Sequence, residues 1–346
     1  MHSPPRTGRA TPPNVPSAAA FPQWPESGVD GAIMLDENGW SRRKRMIFQC
    51  VGATFRLTMR SIPHATALAA LQRAARDCLE ERDIEAKVTR SRDIAEAWRA
   101  GTLPAPPAGA LPAAHACEHP SQPIAGLPVR LVLTHAADVP RRSMGSPRGM
   151  AAFVHAIAHI EWNAINLAWD AVWRFGGMPL DYYSDWTGVA AEEALHFSML
   201  RERLRELGHE YGDFEAHAGL WSMAEATAGD VLSRMALVPR VLEARGLDVT
   251  PALIARLRRF GDEKTAAVLE VILRDEVGHV RIGSRWFHYL CEQRGLDPVT
   301  AFAEALRTHF RGSVKAPMSR DLRRRAGFTD AELSLLDALS AKRPTA

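Results

Sequence analysis

The sequence predicts an all-α protein built around a four-helix bundle. From residue 65 onward, apolar residues recur mostly with the helical period of about 3.6 residues, and glycines separate the periodic stretches. Two of the longest stretches carry the same pair of polar side chains, a glutamate followed three residues later by a histidine. Only VRLVLTH, residues 129–135, has the composition of a short strand.

The composition is that of a globular protein preceded by a tail. Of the 346 residues, 46% are hydrophobic and 24% are charged, which is enough for one large core or two domains. Residues 1–40 are rich in Pro, Ser, Ala and Gly, so we expect a disordered tail there and no secretory signal. We then expect a helical segment and Pro-rich strap over 41–148, the bundle over 149–298 and a helical extension over 299–346.

The first helical segment lies before the bundle. Apolar residues such as Leu68 and Leu71 recur along one helical face over residues 65–99, and Gly101 is a candidate C-cap. Residues 101–149 then form a long Pro-rich connector, which is typical of a linker or a strap laid over a surface.

Four long helices form the predicted bundle. N-cap residues, prolines and glycines set their ends, and we expect them over residues 147–175, 183–207, 220–245 and 262–294. Gly246 should end the third helix, and Thr250-Pro251 should begin a short separate helix over 251–260. Two extension helices follow in VTAFAEALRTHF and DAELSLLDAL.

The second and fourth bundle helices each contain Glu-x-x-His. Glu193 and His196 lie on the second helix, and Glu276 and His279 on the fourth. Side chains three residues apart lie about one turn apart on the same side of a helix, so one ion can contact both. Burying a carboxylate costs several kcal/mol unless a charge compensates it. One such pair could be an exposed surface pair, but two on long apolar helices favour a metal site.

The first and third bundle helices offer further carboxylates. Glu161 lies in the otherwise apolar HAIAHIEWNAINLAW, and the third helix contains Glu225 and Glu243. We favour Glu225, because Glu243 lies three residues before Gly246 and would be at the rim of the bundle, but Glu243 stays the alternative. Two Glu-x-x-His helices plus one Glu from each of two others form the ligand set of a di-metal carboxylate bundle. Carboxylates with two imidazoles suit two Fe ions, or Fe with Mn, better than structural Zn.

Neighbouring residues are candidates for supporting roles. Asp275 and Glu192 each precede a candidate ligand and could accept a hydrogen bond from an imidazole or remain solvated. His159 could contact the centre or be a hydrogen-bonded core residue. Gly278 and Gly283 are poor helix formers, so we expect another group to approach the helix closely at these positions.

Four segments of the chain resemble a known group of proteins. HAIAHIEWNAI, AAEEALHFSMLRERL, DVLSRMALVPRVLEARGLDVTP and LRDEVGHVRIG are similar to an uncharacterised bacterial family of ferritin-like proteins. The resemblance implies a ferritin-like four-helix bundle with extra N- and C-terminal helices. It transfers a di-iron or Fe/Mn ligand set onto the matching positions Glu161, Glu193, His196, Glu276 and His279. It implies no single reaction, because this fold supports many.

We therefore expect a di-iron oxidoreductase that activates dioxygen or peroxide on a small-molecule substrate. No flavin, nicotinamide or Fe–S motif is present, so an external electron donor would be needed. The alternative is a non-enzymatic metal-binding protein, or a helical interaction protein with a vestigial site. The long tail and strap would crowd the surface of a cage-forming storage oligomer, so we expect a monomer or small homo-oligomer.

Other features narrow the partners and the compartment. The basic runs RRKR at 42–45 and RRR at 323–325 lack interleaved aromatic residues, so we expect solvated surface, and nucleic acid is disfavoured without being excluded. No stretch approaches the ~20 apolar residues of a membrane span. The four cysteines are Cys50, Cys78, Cys117 and Cys291. They are far apart in the sequence and none has Cys-x-x-Cys spacing, which favours a reducing, cytoplasmic compartment.

Overall fold

The computed structural model describes residues 64–104, 125–136, 138–139, 144–310 and 312–341. The predicted tail, the RRKR run, the middle of the strap, Cys50 and Cys117 lie outside these residues. The helices are, in chain order, α1 (His64–Glu80), α2 (Ile84–Ala100), α3 (Pro147–Arg174), α4 (Leu180–Glu206), α5 (Gly219–Ala226), α6 (Val231–Leu237), a π-helix (Val238–Glu243), α7 (Ala244–Arg259), α8 (Glu263–Gln293), α9 (Pro298–His309), α10 (Arg320–Arg325) and α11 (Asp330–Ala341).

The all-α prediction is confirmed over the described part of the chain. The VRLVLTH segment forms no strand there, and its contribution is an isolated parallel bridge between Leu133 and Ala216. No helix among the described residues has the length and apolar character needed to cross a bilayer. Cys78 and Cys291 are buried free thiols.

The N-terminal segment is a pair of helices rather than one. The Glu81 side chain accepts the backbone N–H groups of Arg82 and Asp83, which interrupts the helical ladder. Asp83 then caps α2 by accepting the N–H of Ala86. Gly101 ends α2 in the left-handed conformation at φ 68°, as predicted. The pair covers the bundle, because α1 packs on α3 and α2 packs on α4.

Three of the four bundle helices begin and end close to their predicted positions. Ser146 caps α3 by accepting the N–H of Gly149, and Asp262 caps α8 by accepting the N–H of Thr265. The helices α3 and α4 pack along their length, and α4 also packs on α8. Nearly every α3 residue between Glu161 and Val172 is buried, because α1 covers the side that α4 leaves open. This burial places any α3 carboxylate inside the protein.

The prediction of one continuous third helix is wrong. The chain forms α5, restarts at α6 with Asp230 as N-cap, passes through the π-helix and continues as α7. Pro239 has no N–H to donate, so the α-helical ladder is interrupted there, and a wider π-turn accommodates the ring.

The helix stop predicted at Gly246 and the start at Thr250-Pro251 are also wrong, since both lie inside α7. Burial of one face of α7, including Leu247 and Leu257, outweighs the weak helix propensity of a single glycine.

The C-terminal extension contains both predicted helices, as α9 and α11. Between them, α10 carries the RRR run, which is not all solvated surface. Arg323 is buried and donates two hydrogen bonds to the Asp248 carboxylate, at 3.0 and 2.8 Å. This pair attaches the extension to α7, while Arg324 and Arg325 remain exposed.

Candidate metal centre

The two Glu-x-x-His pairs meet in the core between α4 and α8. One ligand-type atom from each of Glu193, His196, Glu276 and His279 lies within 4.8 Å of the others. All four residues are buried. Each helix presents its pair inward because the i, i+3 spacing keeps both side chains on the face that packs on the other helix.

Glu161 brings α3 into the same cluster. Its Oε2 atom lies 3.5 Å from His196 Nδ1, which in turn lies 3.2 Å from Glu193 Oε2. Glu161 is only 3% exposed, so its carboxylate is as thoroughly removed from water as the others.

Of the two third-helix carboxylates, the structure places Glu243 near the cluster and Glu225, the predicted ligand, away from it. Glu225 is exposed on α5. Glu243 has a buried Oε2 atom, and burial together with the negative charges of Glu276 and Glu193 raises the pKa of its carboxyl well above the ordinary value. Because the π-helix continues into α7, Glu243 lies within a continuous helical stretch and not at a helix end, and its side chain is half-buried.

Two signals in the sequence pointed to Glu243. Glu243 precedes Glu276 by 33 residues, nearly the 32 that separate Glu161 from Glu193. Pro239 lies four residues before it, in the middle of an otherwise helical stretch. A proline inside a helix interrupts the α-helical hydrogen bonds, which a π-turn can accommodate, and π-turns are frequent at functional sites.

The two imidazoles are held by carboxylates on the opposite helix. His196 Nε2 lies 3.3 Å from Asp275 Oδ2, and His279 Nε2 lies 2.8 Å from Glu192 Oε2. With Nε2 bound to these outer carboxylates, each Nδ1 faces the carboxylates of the cluster and would be the ligand atom for a bound metal ion. The arrangement is reciprocal, because α4 supplies the acceptor for the α8 histidine and α8 supplies the acceptor for the α4 histidine.

Burial and mutual repulsion favour the neutral form of three of the four carboxyl groups in the cluster. Burial raises the pKa values of Glu161 and Glu276, and the nearby Glu193 carboxylate raises them further. Burial also opposes ionisation of Glu193, but the two imidazoles lower its pKa overall. Burial disfavours a charged His196, yet hydrogen bonds to Asp275, Glu161 and Glu193 raise its pKa to about 12. The cluster as a whole contains four carboxyl groups and two imidazoles.

Several atoms of this cluster lack the hydrogen bonds that buried polar groups normally make. The unpartnered buried atoms are Glu161 Oε2, Glu193 Oε1, Glu243 Oε2, Glu276 Oε2 and His279 Nδ1. His279 Nδ1 lies only 2.9 Å from Glu193 Oε1, but without the geometry of a hydrogen bond. An unsatisfied buried group costs about 1–3 kcal/mol, and a cation bound among these five atoms would offset that cost. Divalent cations that accept oxygen and nitrogen donors, such as Fe or Mn, fit this set.

His159 lies in the core and contacts groups outside the cluster. Its Nδ1 is 2.7 Å from the Tyr211 hydroxyl, and its Nε2 is 3.1 Å from the His217 carbonyl oxygen. Burial lowers its pKa to about 4. These contacts favour the interpretation of His159 as a hydrogen-bonded core residue.

One of the two α8 glycines is explained by close packing. A Cβ atom at Gly283 would lie 2.3 Å from Pro239 Cγ, so the π-helix lies directly against α8 at this point. A Cβ atom at Gly278 would have no heavy atom within 4 Å, so the expectation of a close approach is wrong there. Gly283 thus allows the π-helix to bring Glu243 to the cluster.

Comparison with known proteins identifies relatives without a described activity. The family described as "Protein of unknown function (DUF455)" matches residues 80–334, which include all six candidate ligands. An uncharacterized protein of Haemophilus influenzae is 51% identical over 221 residues, covering 62% of this chain and 77% of that protein. No solved structure matches the chain.

Proposed function

This chain belongs to the DUF455 family of proteins of unknown function, and we propose that it is a di-metal carboxylate protein with a ferritin-like four-helix bundle. The observation that supports this most directly is the convergence of unpartnered ligand atoms from α3, α4, the π-helix and α8. Glu-x-x-His on two helices with a glutamate from each of two others is the side-chain set of such bundles.

The residues proposed to hold the metal pair are Glu161, Glu193, His196, Glu243, Glu276 and His279. When bound, two redox-active ions supply the ability to activate dioxygen or peroxide. The protein contributes a dry site, because most of these carboxylates and both imidazoles are buried. Asp275 and Glu192 fix the imidazole orientation, which makes the two Nδ1 atoms better ligands.

The activity proposed for this site is that of an oxidoreductase served by an external electron donor. Hard oxygen ligands with only two imidazoles favour Fe or Mn over a structural Zn ion. The buried position keeps reactive species away from bulk water, which is a requirement for oxidation of a bound substrate.

Metal content tests the site, with a matched pair of variants. We expect about two Fe or Mn ions per wild-type chain expressed with these metals. Glu243→Ala should reduce the content to less than about one ion, while Glu225→Ala on the exposed α5 should leave it unchanged. Elemental analysis of purified protein gives the content, and circular dichroism shows whether each variant is folded. Equal metal content in the two variants, or wild-type content below about half an ion, would refute the proposal.

Oxygen uptake tests the activity. Wild-type protein loaded with Fe(II) and supplied with a reductant should consume dioxygen faster than free Fe(II) at equal concentration, and Glu243→Ala should not. Full metal loading without dioxygen or peroxide consumption would favour the non-enzymatic alternative of a metal-binding protein.

A further inference from the structure

A cavity of about 710 Å³ lies against the candidate centre. Three of the proposed ligands line it, namely Glu161, Glu243 and Glu276. Glu193, His196 and His279 do not, so the cavity reaches the centre from the side opposite the two imidazoles. A molecule in this cavity would therefore approach the carboxylates first.

Most of the surface of the cavity wall is apolar, although charged side chains, among them Arg245, Lys315 and Arg323, also line it. The α3 residues Ile157, Ile160 and Glu161 lie on one helical face, so the carboxylate ends an apolar stripe. Leu269 and Ile272 precede Glu276 on α8 at the same helical spacing. Polar groups of a compact hydrophilic substrate would lose their hydrogen bonds to water against such a wall.

The cavity continues along α3 as a second one of about 320 Å³. The two share Val139, Ala156, Glu215 and Leu253, so they adjoin each other, and we call the combined space beside α3 and α7 the channel. The lining runs along α3 from Gly149 to Leu167, a span of ~27 Å at the helical rise of 1.5 Å per residue. The combined space is therefore elongated along α3.

We infer that the channel binds an elongated aliphatic chain of the fatty-acid type, with its apolar end directed toward Glu161, Glu243 and Glu276. The inference rests on the proposed function, since the metal centre defines the inner end of the channel. The polar end lies at the outer cavity, where the exposed Arg256 and Glu215 form part of the lining. This orientation keeps a charged group in water and places methylene groups beside the apolar wall.

Binding of a fluorescent fatty acid tests the inference. The full-length protein should bind cis-parinaric acid saturably, stearate should displace it, and adenosine should not. Ala156→Trp places an indole where the two cavities join and should weaken binding about tenfold or more. Ala255→Trp is the matched control, because Ala255 is exposed on α7 and lines neither cavity, and it should bind as the wild type does.

The position of the chain is tested with a paramagnetic ion. With Mn²⁺ as the metal, nuclear relaxation of ¹³C-labelled stearate should be enhanced more strongly at the terminal methyl than at the carboxyl carbon. The reverse order, or equal effects of Ala156→Trp and Ala255→Trp, would overturn the inference. A dimer that Ala156→Trp dissociates, with probe binding unchanged, would assign the channel to a second copy of the chain and also overturn it.

Metal and probe binding are separate measurements, so the two failures can be told apart. Metal binding with no saturable probe binding would remove the inference and leave the proposed function intact. Saturable probe binding with no bound metal would remove the proposed function and, with it, the role of the channel as a substrate site.

Discussion

Replacing Gly283 by alanine should force α8 and the π-helix apart. The new Cβ atom would lie 2.3 Å from Pro239 Cγ and 2.4 Å from Pro239 Cβ. Carbon atoms in contact prefer ~3.5–4.0 Å, so the two backbones must separate by about 1 Å or more. Neither partner is a flexible side chain, since one atom is attached to a helix backbone and the others belong to a proline ring.

The expected change in folding stability follows from two opposing effects. Overpacking in a close-packed core costs about 1–3 kcal/mol. Replacing glycine by alanine inside a helix stabilises the helix by about 1 kcal/mol. Gly278→Ala is the matched control on the same helix, because a Cβ atom there has no heavy atom within 4 Å. The helix-propensity gain cancels between the two variants, so Gly283→Ala should be less stable than Gly278→Ala by the steric cost of about 1–3 kcal/mol.

Urea unfolding of both variants measures this difference. A chelator should be present, because bound metal would add its own stabilisation to the folded state. Gly283→Ala should also bind less metal than Gly278→Ala, since Pro239 lies four residues before Glu243 on the same π-helix. If Gly283→Ala is as stable as Gly278→Ala, the contact between Pro239 and α8 does not limit the size of the residue at position 283, and the predicted steric cost is refuted.

Two further predictions concern buried polar groups. Glu332→Gln should lower the free energy of unfolding by about 3–5 kcal/mol, because the Arg240 guanidinium, buried against three phenylalanine rings, would lose its ion pair at 2.6 Å. Urea unfolding at neutral pH measures the loss, and a value below about 1 kcal/mol would contradict the role of the pair. Burial lowers the pKa of His155 to about 4, and its Nε2 accepts the Gly212 N–H, so protonation favours the unfolded chain. The neutral His155 side chain makes its full contribution to the free energy of unfolding above pH ~6.5. This contribution falls by about 3 kcal/mol as the pH decreases toward 4. Acid unfolding of wild type and His155→Gln measures this, and equal pH dependence in the two proteins would refute it.

Much of the fold followed from local patterns. Periodicity and end signals were sufficient for α3, α4 and α8, because capping residues such as Ser146 and Asp262 act within one turn of their helix. Five of the six proposed ligands were already candidates from the Glu-x-x-His spacing and the family resemblance. Burial of Glu276 was predictable because it lies within the apolar stripe of its own helix.

The third bundle helix could not be predicted in the same way. Gly246 and Thr250-Pro251 are ordinary helix-end signals, and locally they favour a break. Packing of α7 on α8 outweighs them, and this packing depends on residues far apart in the chain. The error in the helix end led directly to the preference for Glu225, because a helix that ends at Gly246 would leave Glu243 at its rim.

The sequence by itself determined the helical class, the two Glu-x-x-His pairs and the ligand types of the proposed metal site, since these depend on residue type and on spacing within one helix. Only the tertiary structure placed Glu243 near these pairs and a cavity against three of the carboxylates. It alone also decided that Asp275 and Glu192 orient the opposite histidines. The physical reason is that each of these features joins side chains from different helices. Their distances depend on how the helices pack, and the spacing within one helix does not contain that information.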